Sequence, residues 1–531
     1  MVGPDTIDID GPDSDDHEED GPPFCHPLVA WLLVLCVLVA LASRFVISTP
    51  MWLDEALSVN ISRLPIGRIV QHLRHDGHPP LYYVMLHEWM GVFGTSDRAV
   101  RALSGVLSLV ALPVMWVTAR KVSGRTGAWA ATLVFALSPF VLRYGSETRM
   151  YTLLMLEVTV GYLAVHVSLR RPTWLSLSGV TISCGLVLWT HYWSFWLVST
   201  TGMLLCLRYW QARRSGTDEG STEARAALRT IAALVVGGVS FLPWLPTTLY
   251  QFQHTGTPWA GALRPTSMVY SSLVEFAGGP YSESQILMLL MVLLAFVGLT
   301  GREIDRRRIE VDLSVRRRAR VPFAMFSGII LVASAVGLIT GMAFAPRYAS
   351  ILFPFMVVLV AMGIAVLPRG APRDATLVVF ASLSLIGLFV VFRVVRSEAG
   401  DVATVVRSRT PSALVISCPD QLGPSIARAL NGPAYEIRSY PRLDDPHFVD
   451  WVDYAQRNAA NDPAKIGAEV LRLAGSRPIV VVYRDDFLTL KGQCGDLIQR
   501  ILADRPGHPI VQSDGVAYYE PMNAIYFPAA R

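Results

Sequence analysis

The sequence predicts an α-helical polytopic membrane protein, with about eleven transmembrane helices and a C-terminal extracytoplasmic α/β domain. Three observations carry this reading. Of 531 residues, 52% are hydrophobic and only 17% are charged, where a soluble chain carries about a quarter. The apolar residues come in blocks of about 20, long enough as helices to cross a hydrocarbon core of about 30 Å. The arginines gather in alternate loops between those blocks. The net charge of +4 is small and forms no basic patch, so no nucleic-acid partner is expected.

Residues 1–23 are acidic and rich in Gly and Pro, as in Asp13-Ser14-Asp15-Asp16-His17-Glu18-Glu19-Asp20. Such a segment cannot bury a core and reads as a disordered cytoplasmic tail. It also lacks the basic n-region of a cleaved secretory signal, so 28–47 reads as a retained first helix. Further spans are expected at 102–118, 127–142, 150–169, 174–190, 193–210, 229–249, 285–301, 322–343, 348–367 and 375–394. The breaks around His191 and Arg347 rest on short polar stretches.

One set of loops holds the basic residues: Arg120, Lys121 and Arg125; Arg170 and Arg171; the 208–225 segment; the 302–320 segment; and Arg369 with Arg373. The positive-inside rule assigns this set to the cytoplasm. The other set faces outward: the large external loop 48–101, the 143–149 turn, the region of His191, the 250–284 loop and the 344–348 turn. An odd number of spans then leaves the N-terminus inside and everything after about residue 395 outside. The first helix argues weakly, because its inner flank is acidic and Arg44 lies near its outer end.

Residues 24–395 thus form a transmembrane domain, and 396–531 change character. Ala413-Leu414-Val415-Ile416-Ser417 and Ile479-Val480-Val481-Val482-Tyr483 read as buried strands. Segments 425–430 and 464–474 read as helices, and the alternation predicts a small α/β domain. Cys418 and Cys494 would lie in an oxidising compartment, either joined as a disulfide or buried as two separate thiols; spacing alone does not choose.

The unusual polar residues collect on the outward face. Trp52-Leu53-Asp54-Glu55 puts two carboxylates just outside the first span, as a solvated helix start or as a general base awaiting a hydroxyl. His78-Pro79-Pro80-Leu81-Tyr82-Tyr83 has an extended entry fixed by two prolines. His78 is either a structural hydrogen-bonding residue or a ligand to substrate or metal, and the tyrosines are either interface-belt aromatics or part of a site. Arg143-Tyr144-Gly145-Ser146-Glu147-Thr148-Arg149-Met150-Tyr151 packs three charges and two tyrosines into one turn. It is read as an internal Glu147–Arg149 ion pair or as recognition of a phosphate or sugar. Thr190-His191-Tyr192-Trp193 and Ala345-Pro346-Arg347-Tyr348 mark two more outer turns. Arg347 either snorkels to the interface or binds a lipid phosphate.

There is no Walker loop, and no Gly-rich turn opens a helix after a strand, so no nucleotide substrate is expected. Charged residues inside the spans are few, Glu157 being one, which argues against a proton-coupled transporter.

Together the five motifs, Trp52-Leu53-Asp54-Glu55, His78-Pro79-Pro80-Leu81-Tyr82-Tyr83, Glu147-x-Arg149-Met150-Tyr151, Thr190-His191-Tyr192 and Pro346-Arg347-Tyr348, resemble the bacterial protein-O-mannosyltransferase-like membrane glycosyltransferases of the GT-C fold, including the Rgt-type sugar transferases. The resemblance covers about residues 28–395. It implies transfer of a sugar from a polyprenyl-phosphate carrier, on the outer face of the cytoplasmic membrane of a bacterium, to a glycan, lipid or protein acceptor, with inversion at the anomeric carbon. It also implies Asp54 as catalytic base with Glu55 beside it. Arg149 and Arg347 would meet the carrier phosphate, and His78, Tyr82, Tyr83, Glu147, Tyr151 and His191 would position substrate. No cofactor is implied with certainty; a divalent cation on Asp54, Glu55 and His78 stays open. The competing expectations are a flippase for a lipid-linked sugar and a non-catalytic envelope assembly protein.

Overall fold

Among the described residues, seven helices are long and apolar enough to cross a membrane: Pro27–Val46, Asp97–Leu137, Tyr151–Arg170, Asp218–His254, Glu283–Thr300, Arg317–Thr340 and Ala371–Arg393. Two shorter apolar helices, Trp174–Thr190 and Phe353–Val366, accompany them. The chain is a multi-pass membrane protein. The computed structural model describes residues 24–255, 264–280, 282–305, 308–341, 344–485, 487, 489–515 and 517–530. The acidic tail expected over 1–23 lies outside the described residues.

The fold divides into two compact units. One comprises Met1–Val46, Arg101–Leu245 and Ala262–Val391; the other comprises Ile47–Val100, Pro246–Gly261 and Phe392–Arg531.

The first unit is helical. Its expected spans 102–118 and 127–142 are two arms of one element, Asp97–Leu137, broken at Gly124, whose φ of 74° is left-handed. Ser138 then caps a short helix, Pro139–Gly145, by accepting from the Val141 N–H, with Pro139 at the first helical position. The helix expected at 229–249 begins earlier, at Asp218, and changes to a 3₁₀ turn at Leu242–Trp244. Phe353–Val366 is buried on nearly every side, as a helix apolar all round must be. It packs against Ser282–Thr300 so closely that a Cβ at Gly298 would collide with the Leu359 carbonyl, and one at Gly363 with the Leu294 carbonyl. Small residues permit that approach. Arg302, Glu303 and Asp305 belong to a two-stranded hairpin, Gly301–Asp305 with Arg308–Val311, that the apolar pattern did not predict.

Arg44 is the charge that weakened the first helix as a topology signal. Its side chain is buried inside this unit, with Nη1 donating to Ser108 Oγ at 2.8 Å and Nη2 to the Ala136 carbonyl at 2.8 Å. It ties helices together, and a paired cation of this kind says nothing about which side a loop faces.

The second unit carries a five-stranded sheet. Ala413–Cys418 lies between two parallel neighbours, Tyr435–Ser439 and Ile479–Tyr483. Asn523–Phe527 runs antiparallel to Ile479–Tyr483, and His508–Val511 closes that edge. The two strands expected from sequence are thus the central ones, which is why they are apolar throughout. The expected helices appear as Gly423–Ala429 and Pro463–Ala474. Cys418 and Cys494 are bonded, with their Cα atoms 5.7 Å apart. Helices Leu53–Ser62, Ile66–Asp76 and Leu81–Phe93, all from the large loop, belong to this same unit.

Candidate active site

Asp54 and Glu55 occupy the first turn of the helix Leu53–Ser62, where a carboxylate meets the positive end of the helix dipole. Their surroundings differ. Glu55 is fully buried, and its Oε1 accepts from Arg396 Nη1 at 3.1 Å. Asp54 is partly exposed. Just before it, the Leu53 N–H donates to Glu520 Oε1 at 3.1 Å, and Ser397 Oγ donates to Glu520 Oε2 at 2.6 Å. Burial pushes the Glu520 carboxyl up to about 8; the Asp54 charge adds to this, while hydrogen bonds from Ser397, Ser425 and Leu53 oppose it. Trp52 stands edge-on to Tyr519, ring centroids 4.9 Å apart.

His78 follows a helix end. Ile66–Asp76 stops at Gly77, whose φ of 87° is the left-handed cap that glycine adopts without strain. The reversed chain sets Asp76 against the residues after it. His78 Nδ1 lies 3.1 Å from Asp76 Oδ2, and Tyr83 Oη donates to the same oxygen at 2.8 Å. Tyr82 and Tyr83 are both fully buried and meet edge to face, centroids 6.2 Å apart. They are not interface-belt aromatics. Asp76 organises this cluster, and the sequence analysis assigns it no role.

In the first unit, the turn from Arg143 to Tyr151 is mostly interior. Glu147, Arg149 and Tyr151 are buried, and Ser104 Oγ donates to the Arg149 carbonyl at 3.3 Å. Tyr144 Oη donates to Glu275 Oε1 at 2.8 Å, and Arg143 Nη1 lies 3.5 Å from the same atom. Tyr151 leads to His191 at 6.0 Å between ring centroids, and His191 to Tyr348 at 5.1 Å. The Arg149 guanidinium lies 5.9 Å from the Tyr151 ring, and that of Arg347 5.7 Å from the Tyr348 ring. These are favourable cation–π placements at the two ends of one aromatic row. His191 Nδ1 accepts from the Trp193 N–H at 3.1 Å. A neutral His191 therefore carries its proton on Nε2 and can donate from it.

The structure thus brings Arg149, Tyr151, His191 and Arg347 together in the first unit, with Glu147 in the same turn as Arg149. In the second unit it places Asp54 and Glu55 on one helix start, and His78, Tyr82 and Tyr83 around Asp76. Sequence reasoning missed Glu275, Tyr348, Arg396 and Glu520 as partners. Tyr348 stood in a quoted motif; Arg396 and Glu520 carried no local signal. Among the described residues, no group of three or more His, Cys, Asp or Glu side chains is arranged to hold a metal ion.

Comparison with known proteins agrees with this architecture. Residues 77–215 match the family model described as dolichyl-phosphate-mannose-protein mannosyltransferase. The crystal structure of ArnT from Cupriavidus metallidurans in the apo state superposes with a TM-score of 0.61 at 12% identity, covering 94% of this chain and 98% of that one. The same protein bound to undecaprenyl phosphate gives a TM-score of 0.57 at 12% identity, with coverage of 94% and 98%. No curated protein matches the sequence. The resemblance carried by the five motifs is borne out in the fold.

Proposed function

We propose that this chain, whose fold is that of the GT-C membrane glycosyltransferases, transfers a sugar from a polyprenyl-phosphate-linked donor to a glycan, lipid or protein acceptor at the outer face of the cytoplasmic membrane, with inversion. The observation that carries the reading is the aromatic row Tyr151, His191 and Tyr348 with a guanidinium at each end. Two arginines from distant parts of the chain border one aromatic row. A lipid phosphate is an anion with an apolar body, and Arg binds its oxygens with a planar fork.

In the proposed reaction the acceptor hydroxyl attacks the anomeric carbon from the face opposite the phosphate. Asp54 takes the hydroxyl proton as the new C–O bond forms. The old bond between the anomeric carbon and the phosphate oxygen breaks, and its electron pair leaves with the polyprenyl phosphate. Arg149 and Arg347 stabilise the charge gained there. Glu55, held by Arg396, fixes the helix start that presents Asp54. His191 donates from Nε2 to a substrate oxygen. Glu147 and Tyr151 position substrate, and so do His78, Tyr82 and Tyr83, the last two buried and His78 and Tyr83 held by Asp76.

The test is sugar transfer by purified protein in detergent, where no transmembrane gradient exists, from a panel of polyprenyl-phosphate hexoses and pentoses. Wild type is expected to release polyprenyl phosphate and glycosylate an acceptor. Asp54→Asn is expected to lose at least about 100-fold in rate while keeping its melting temperature. An Asp54→Asn protein with near-normal turnover sinks the base assignment. Lipid-linked sugar that only changes leaflet in vesicles, with no transfer, identifies a flippase instead.

A further inference from the structure

Three residues of the Trp52-Leu53-Asp54-Glu55 motif are held by one short parallel sheet of the second unit. Val395–Ser397 pairs with Tyr518–Glu520, in a register that sets Val395 beside Tyr518 and Ser397 beside Glu520. The Trp52 ring stands edge-on to Tyr519. The Leu53 N–H donates to Glu520 Oε1 at 3.1 Å. Glu55 Oε1 accepts from Arg396 Nη1 at 3.1 Å. Just ahead of the motif, a Cβ added at Gly400 would come within 2.8 Å of Pro50 Cγ. The chain entering the motif is therefore pressed against the helix Ala399–Arg409.

The Leu53 contact caps the helix from outside it. A helix leaves its first N–H groups without partners of its own, and a side chain at the N-cap commonly supplies one. Trp52 occupies that position and makes no side-chain cap. Glu520, 467 positions further along the chain, supplies the acceptor instead. Its carboxyl is itself fixed. Ser397 Oγ donates to Glu520 Oε2 at 2.6 Å, and the Glu398 N–H donates to the Glu520 carbonyl at 3.1 Å. The chain then enters Asn523–Phe527, a strand of the five-stranded sheet, which gives the contact a rigid base. Asp54 thus sits between two positions, 53 and 55, that are each anchored from the C-terminal region. A catalytic group displaced by about 1 Å can lose about 100-fold in rate. We infer that the strand pair is a clamp that positions Asp54, that Glu520 is its positioning residue, and that the C-terminal α/β region is thereby part of the transferase machinery. The inference rests on Asp54 acting as the base.

The test is steady-state sugar transfer by the full-length protein in detergent, with Asp54→Asn, Glu520→Ala, Glu520→Asp and Glu520→Gln measured side by side below their melting temperatures. Glu520→Ala removes the acceptor and Glu520→Asp withdraws it by one methylene; either serves if the other does not fold. Each is expected to lower kcat at least about tenfold, with KM for the lipid-linked donor within about twofold of wild type. Burial raises the Glu520 carboxyl to about 8, so it is largely protonated at neutral pH. Gln mimics that form and keeps the acceptor, and Glu520→Gln is expected to recover kcat to within about threefold of wild type. Amide hydrogen exchange over residues 52–58 reads the anchoring without turnover. It is expected to quicken at least about tenfold in Glu520→Ala and Glu520→Asp, and not in Glu520→Gln. Near-normal turnover in Asp54→Asn removes the base assignment on which the clamp depends. With Asp54→Asn inactive, three results overturn the clamp alone: wild-type kcat in the folded Ala or Asp variant, unaltered exchange in that variant, or a folded Gln variant as slow as Ala.

Discussion

Glu55 and Arg396 form an ion pair at 3.1 Å with the carboxylate fully buried. The contact joins the second carboxylate of the Trp52-Leu53-Asp54-Glu55 motif to the segment that leads into the C-terminal sheet. Adjacent acids in one motif therefore have unlike surroundings: Asp54 is partly open, whereas Glu55 is sealed against a guanidinium.

Removing one partner of such a pair strands the other. Arg396→Ala is expected to cost about 3–5 kcal/mol, read as a large drop in the melting temperature of the detergent-purified protein. Replacing both, Glu55→Gln with Arg396→Met, should cost clearly less, because no charge is left buried. Equal destabilisation by the single and the double variant contradicts this account.

Arg149 and Arg347 test the phosphate assignment by shape as well as charge. Arg→Lys at either position keeps the charge but loses the fork. Each is expected to reduce kcat/KM for the lipid-linked donor by about tenfold, and Arg→Gln by about 100-fold. The loss should not depend on which acceptor is supplied. Unchanged donor kinetics in both Gln variants remove the assignment.

Glu520 gives a pH signature. Its folded value of about 8 lies above the 4.5 of a free glutamate. The folded state therefore favours the protonated form. The stability from that form is fully present below about pH 4.5 and is lost as pH rises through about 8. Asp420, pushed up to about 7 by burial, acts in the same sense. The melting temperature of wild type should carry this falling component between those limits. Glu520→Gln should remove about half of it, leaving the Asp420 component and a flatter profile; superimposable profiles refute the expectation.

The Cys418–Cys494 disulfide closes a loop with a sequence separation of 76. Loop-closure entropy for that length corresponds to about 4 kcal/mol. Cys494→Ser is expected to unfold the second unit at markedly lower denaturant, read by protease cleavage between residues 396 and 531. The same shift should appear in wild type under reductant.

Composition and periodicity alone determined the membrane character, most helices and the two central strands. Those features follow from local apolar runs, which any environment must bury. The five motifs were also legible, because their residue types are costly near hydrocarbon. Tertiary structure decided the rest. The edge strands Tyr435–Ser439 and His508–Val511, and the strand Asn523–Phe527 beside the latter, are only partly buried, so their polar residues hid them. The helix break at Gly124 depends on one left-handed residue, which sequence cannot distinguish from an ordinary glycine. Whether Cys418 and Cys494 meet depends on strand order, which spacing does not encode. Arg44 looked like a topology signal and is a buried tie. Asp54 and Glu55 are neighbours in sequence, and the protein interior makes one of them a sealed structural anion and leaves the other partly open.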